Sequence, residues 1–130
     1  MYSILELIKE TMGYYLKFYS RGREEFKEEY DKIIPTQRDV VKIVNKLTRH
    51  YKLSPLKVSF NKRKPNSGTY WIRSKRVDFH RSVVSFGILC HEVGHHMAME
   101  QNGKSGHTKK LMVRIRRLVK YCRKKAFWGI

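Results

Sequence analysis

The chain has 130 residues, 41% of them apolar and three of them proline, and its 29 Lys/Arg against 11 Asp/Glu give a formal net charge of +18. That length carries one modest core and excludes two ordinary domains, so residues 1–130 are read as a single unit. Two cysteines, Cys90 and Cys122, do not make a secreted disulfide framework, no uncharged apolar run is long enough to span a bilayer, and Glu6, Lys9 and Glu10 interrupt any signal core, so a reduced intracellular setting without membrane insertion is expected.

Ile4, Ile8, Met12, Tyr15 and Tyr19 recur at helical spacing, as do Phe26, Tyr30 and Ile33, which predicts one broken or two consecutive amphipathic helices over residues 2–33. Pro35 ends that pattern. Thr36-x-x-Asp39 resembles a capping pair, and Val40, Val44, Leu47 and Tyr51 mark a helix ending near His50, so residues 1–50 are the N-terminal helical part. Leu56, Val58 and Phe60 alternate as a strand, and Thr69 to Ile72 and Val77 to His80 read as two more. Ser82 is expected to cap the next helix, with Asn102-Gly103 as its stop. Leu111, Ile115, Leu118, Val119 and Cys122 give a final amphipathic helix. The predicted architecture is α+β, a small three-stranded sheet packed by helices.

Inside the helix that precedes Asn102, residues 91–95 read His-Glu-Val-Gly-His. Residues four apart lie on one helical face about one turn apart, so His91 and His95 can share a zinc ion while Glu92 stands beside the attacking water as general base. A tetrahedral hydrolytic zinc takes three protein ligands, so a third is needed. A Gly-containing turn brings His107 back from the entrance of the last helix, and His107 is the favoured ligand. Glu100 is the rival, although its position falls roughly 140° around the helix from His95. His96, about 100° off the ligand face, is expected behind a ligand or at the surface. Tyr70 and His80 are candidates for the oxyanion partner, with a structural role favoured for each, and His50 is read as surface.

Charge is unevenly placed. Residues 1–39 hold eight of the eleven acids, while residues 101–130 hold ten Lys/Arg and no Asp or Glu. Lys109, Lys110, Arg114, Arg116, Arg117, Lys120, Arg123, Lys124 and Lys125 surround the apolar stripe of the last helix. Lys62, Arg63, Lys64, Arg73, Lys75 and Arg76 decorate the strand turns. Such a field attracts phosphate backbones through counterion release with little preference for sequence, so nucleic acid, DNA above all, is favoured over an acidic protein or an anionic lipid as the partner, with a cytoplasmic or nucleoid-associated location. Tyr70, Trp71, Phe127 and Trp128 are the aromatic residues available for stacking on unpaired bases, with Tyr70 and Trp71 pointing to opposite faces of their strand.

The order Gly68-Thr69-Tyr70-Trp71-Ile72, Arg76-Val77-Asp78-Phe79-His80, Cys90-His91-Glu92-Val93-Gly94-His95 and Gly106-His107-Thr108-Lys109-Lys110-Leu111 resembles the SprT-like (Spartan-type) metalloprotease domain over residues 55–120. The resemblance implies a zincin-like fold with the His-Glu-x-x-His helix at its centre. It also implies a zinc-dependent protease that cleaves proteins bound or crosslinked to DNA, with His91, His95 and His107 as ligands and Glu92 as catalytic base. Thr108 and Leu111 depart from that family's usual glycine and aromatic residue, and no paired-cysteine zinc ribbon follows. Two other readings stay open: a non-enzymatic, zinc-stabilised nucleic-acid-binding protein, and a regulatory zinc peptidase acting on a DNA-bound repressor.

Overall fold

The computed structural model describes residues 22–104 and 106–125. Helical residues 22–25 lead into α1 (Lys27–Asp31), then α2 (Gln37–His50), strands β1 (Lys57–Asn61), β2 (Gly68–Trp71) and β3 (Arg76–His80), the long helix α3 (Phe86–Asn102) and α4 (Lys109–Lys124). The stripe expected at Ile4, Ile8, Met12, Tyr15 and Tyr19 lies outside the described residues, as do Phe127 and Trp128.

The architecture is α+β with one three-stranded mixed sheet of order β1-β3-β2. β1 and β3 run parallel with Val58 beside Val77, and β2 returns antiparallel on the other side of β3 with Gly68 beside Phe79. β2 is therefore an edge strand, reached before the central one. Val77 and Phe79 on β3 are fully buried, as the alternation of that strand requires.

α3 is buried from Phe86 to Ala98 without a solvent-facing stripe, the pattern of a helix packed on all sides. α1, α2, β2 and α4 all pack against it. α4 packs tightly on it at Gly94: a Cβ there would stand 2.9 Å from Ile115 Cγ1 and 3.4 Å from Leu111 Cδ1. The glycine between the two histidines is thus the seat of α4.

Local signals set most boundaries. Thr36 Oγ1 accepts from the Asp39 amide at 3.1 Å and its hydroxyl donates to Asp39 Oδ2 at 2.8 Å, the reciprocal pair expected, and α2 ends at His50. Gly103 takes the left-handed conformation that stops α3, with φ of 70°. Two expectations need correction. Ser82 is not the cap of α3; Ser85 is, its Oγ accepting from the Ile88 amide at 3.1 Å. Residues 82–84 are still turning away from β3, with the Ser82 and Val83 amides donating to His80 Nδ1 and the Val84 carbonyl accepting from Ile34. Ile33 is likewise not a core residue of a helix. α1 ends at Asp31, Ile33 forms a bridge with Ser85 and is exposed, and Ile34 is buried in its place.

Two long-range ion pairs join the first helices to the last. Glu25 pairs with Arg116, and Glu29, fully buried on α1, pairs with Arg123. No helix among the described residues is long and apolar enough to cross a membrane.

Candidate metal centre

α3 and the start of α4 bring three imidazoles together. His91 and His95 sit one turn apart on α3, and Thr108 caps α4 by accepting from the Leu111 amide at 3.4 Å, which holds the preceding residue, His107, at the helix entrance. A possible metal-ligating atom of each histidine lies within 4.8 Å of those of the other two. His91 Nε2 and His95 Nε2 are 3.2 Å apart. Ligand nitrogens sharing one small tetrahedral ion stand roughly 3.3 Å from one another, so the His91–His95 spacing is that of two ligands of one metal ion, and His107 lies close enough to join them. Thr108 and Leu111, on either side of this entrance, have local roles: Thr108 is the cap of α4, and Leu111 is the buried side chain that packs toward Gly94.

The electrostatics suit a metal. Burial, with the neighbouring His95 and His107 adding to it, holds His91 well below the usual histidine range, and burial lowers His107 too. Both are therefore neutral at pH 7, the form in which an imidazole nitrogen can ligate.

Glu92 lies beside this cluster, its Oε1 3.9 Å from His91 Nε2 and its side chain almost wholly buried. Burial pushes its carboxyl up to about 8, against the opposing charge of Arg63. Oε2 is buried and has no hydrogen-bond partner among the described residues. An unpaired carboxylate oxygen in the interior costs free energy, on the order of 1–3 kcal/mol or more, unless a proton, water or substrate meets it. Gly68 leaves the room that the Glu92 side chain fills: a Cβ on that residue of β2 would come within 2.7 Å of Glu92 Cγ. The motif does not reveal this role of Gly68, although the Gly-x-Tyr segment contains the signal.

The remaining candidates separate cleanly. Glu100 is not part of the histidine cluster; its Oε1 accepts from the Ser54 amide at 2.7 Å and its Oε2 pairs with Lys75 at 3.5 Å. His96 is fully buried, with Nε2 2.8 Å from the Ser54 carbonyl and Nδ1 2.8 Å from the Tyr70 hydroxyl. The carbonyl can only accept, so Nε2 carries the hydrogen, and in the neutral ring the Tyr70 hydroxyl donates to Nδ1. The Tyr70 ring lies parallel to His95 with centroids 6.5 Å apart. His80 is occupied in turning the chain after β3, and His50 is exposed and stacks on Tyr121.

The cationic residues expected to meet DNA, Lys109, Lys110, Arg114, Arg116, Arg117, Lys120, Arg123 and Lys124, all lie on α4, whose Leu111, Met112, Ile115, Leu118, Val119 and Cys122 face the core. Their charges are not equally available. Arg116 and Arg123 are committed to Glu25 and Glu29, and Arg114 donates to Gln101 Oε1 and the Lys110 carbonyl. In comparison with known proteins, no family model, no curated protein and no solved structure matches the chain.

Proposed function

We propose that the chain is a zinc-dependent metallopeptidase acting on proteins bound or crosslinked to DNA. The observation that carries the reading is the convergence of three imidazoles, two on α3 and one at the entrance of α4, beside a buried carboxylate oxygen that has no hydrogen-bond partner among the described residues. His91, His95 and His107 would hold the ion, leaving a fourth position open. A zinc ion held by the three histidines would supply a Lewis acid that polarises a peptide carbonyl and acidifies water.

The rest of the chemistry belongs to the protein. Glu92 takes the proton of the attacking water at Oε2 and returns it to the leaving amine. Burial favours the protonated carboxyl in the metal-free protein, and the positive charge of an ion held by the histidines would draw Glu92 back toward the ionised form that accepts the proton. Gly68 leaves room for that carboxylate, and Gly94 lets α4 press against α3 so that His107 reaches the other two histidines. Tyr70, tethered to His96, forms a wall beside His95. The exposed cations of α4 bind phosphate backbones with little sequence preference and concentrate the enzyme on DNA-bound protein.

One observation favours a second reading: His91 and Glu92 are each only 2% exposed, which also suits a closed structural zinc site in a nucleic-acid-binding protein. Zinc content combined with cleavage of an unfolded protein, with and without DNA, separates the two. One zinc per chain with DNA-stimulated cleavage that Glu92→Gln abolishes supports the peptidase. One zinc, no cleavage and full DNA binding supports the structural site. Cleavage indifferent to DNA leaves a peptidase and removes nucleic acid from its mechanism.

A further inference from the structure

The strand that touches the metal helix on one face presents a different surface on the other. Side chains alternate along β2, so Gly68 and Tyr70 look toward α3, while Thr69 and Trp71 look outward. The register of the sheet lines up two outward rows across all three strands: Lys57, Arg76 and Trp71, and next to them Ser59, Asp78 and Thr69.

Trp71 is 47% exposed, yet its indole is held in one orientation. Nε1 donates to Asp78 Oδ2 at 2.7 Å. Asp78 is buried on the central strand, accepts from the Ser59 hydroxyl and pairs with Arg76 at 3.2 Å. The Arg76 guanidinium lies over the indole, 5.8 Å from the ring centroid. Arg63 donates to Thr69 Oγ1 at 2.6 Å, bringing another cation to the outward face, and Arg73 stands exposed in the turn that follows Trp71. Asp78, the acid of these two rows, is already met by three donors. A large ring kept in water by a buried carboxylate and flanked by arginines is ill suited to core packing and well suited to a flat π-face.

We propose that this outward face of the sheet binds single-stranded nucleic acid, with an unpaired base stacked on Trp71 and backbone phosphates met by Lys57, Arg63, Arg73 and Arg76. The inference takes from the proposed function only its nucleic-acid partner and stands whether or not the metal centre cleaves peptides. Single strands are favoured over duplex because paired bases present no free ring face at the surface. They are favoured over an acidic polypeptide because carboxylates would use the arginines and leave the indole idle.

The test is equilibrium binding of a labelled oligothymidine of about 15 nucleotides by the full zinc-loaded chain, across a salt series. Trp71→Ala should weaken binding roughly ten- to a hundredfold at every salt concentration without changing the log–log slope, because an indole neutralises no phosphate. Trp71→Phe, which keeps a ring and loses the bond to Asp78, should recover most of the affinity. Duplex binding should be unchanged in both variants. In a Trp128→Phe background Trp71 is the remaining tryptophan, and its fluorescence should be quenched by the oligonucleotide. An oligouridine of equal length distinguishes RNA from DNA as the source of the strand.

Parent-like oligothymidine binding by Trp71→Ala, with duplex binding intact, overturns this site and spares the wider reading. Displacement of the oligonucleotide by polyglutamate at equal charge, with the same quenching, assigns the face to acidic polypeptides and overturns it too. Failure of the parent chain to bind any nucleic acid overturns both this site and the DNA half of the proposed function.

Discussion

α3 and α4 lie against each other and divide the work of the molecule. α3 is surrounded by protein and carries a compact set of titratable groups, whereas α4 turns one stripe inward and exposes a row of cations. Buried groups interact at low effective dielectric, so a displacement of an ångström there changes ligation and proton affinity. Exposed cations act through a screened field, in which each contributes a little. Substitutions on α3 should therefore act singly and sharply, and those on α4 should act gradually and as a sum.

The largest effect is expected at the histidines. Replacing His91, His95 or His107 by Ala should abolish stoichiometric zinc, measured by elemental analysis after dialysis, whereas Glu100→Ala should retain it. Retention of zinc by His107→Ala would remove α4 from the site. Stability of the metal-stripped protein supplies the next contrast. Glu92 has its folded pKa raised from 4.5 to about 8, so the stability it contributes is present below about pH 4.5 and is lost as pH rises toward 8. That loss is on the order of 4 kcal/mol, and thermal melts of stripped Glu92→Gln should match the parent near pH 4.5 and exceed it at pH 8.

For the zinc-loaded protein, Glu92→Gln should keep the metal and lower cleavage at least ~100-fold. Undiminished cleavage would rule out Glu92 as the base. Gly68→Ala should cost about 1–3 kcal/mol of stability through its collision with Glu92, and pairing it with Glu92→Ala should recover much of that cost in a double-mutant cycle. Additive penalties would show that the clash lies elsewhere, against Phe79. On α4, Lys109→Gln, Arg117→Gln, Lys120→Gln and Lys124→Gln should each leave zinc bound and each reduce the salt slope of duplex binding by at most about 0.9. A single one of them abolishing DNA binding would contradict the additive picture.

Both helices are legible in the sequence as far as local signals reach. Their sites rest on neighbours in the chain: the four-residue spacing of His91 and His95, the glycine stop at 103, and the apolar stripe from Leu111 to Cys122. Long-range partners were invisible. Nothing local announces that Ser54 and Tyr70 will enclose His96, or that Glu25 and Glu29 will claim Arg116 and Arg123 from a row that looks uniformly free. The three strands were legible by alternation, but β2 lying at the edge and β1 pairing in parallel with β3 depend on how the sheet assembles. Ser82 and Ser85 are equally good caps by type. The amides that His80 holds after β3 decide between them.

The Glu25–Arg116 and Glu29–Arg123 pairs bridge 91 and 94 residues of chain. Closing so long a loop is entropically expensive until the intervening sheet and α3 have already drawn its ends together, so the clasp belongs to the end of folding. Contacts made that late govern how fast a native molecule opens more than how fast an unfolded one closes. During synthesis α1 emerges long before its partner exists, and the Glu29 carboxylate, destined for the interior, waits in water until α4 arrives. Without the helix that supplies the cationic surface, the N-terminal segment keeps its packing on α3 but loses this clasp, which ties the lifetime of the folded state to α4.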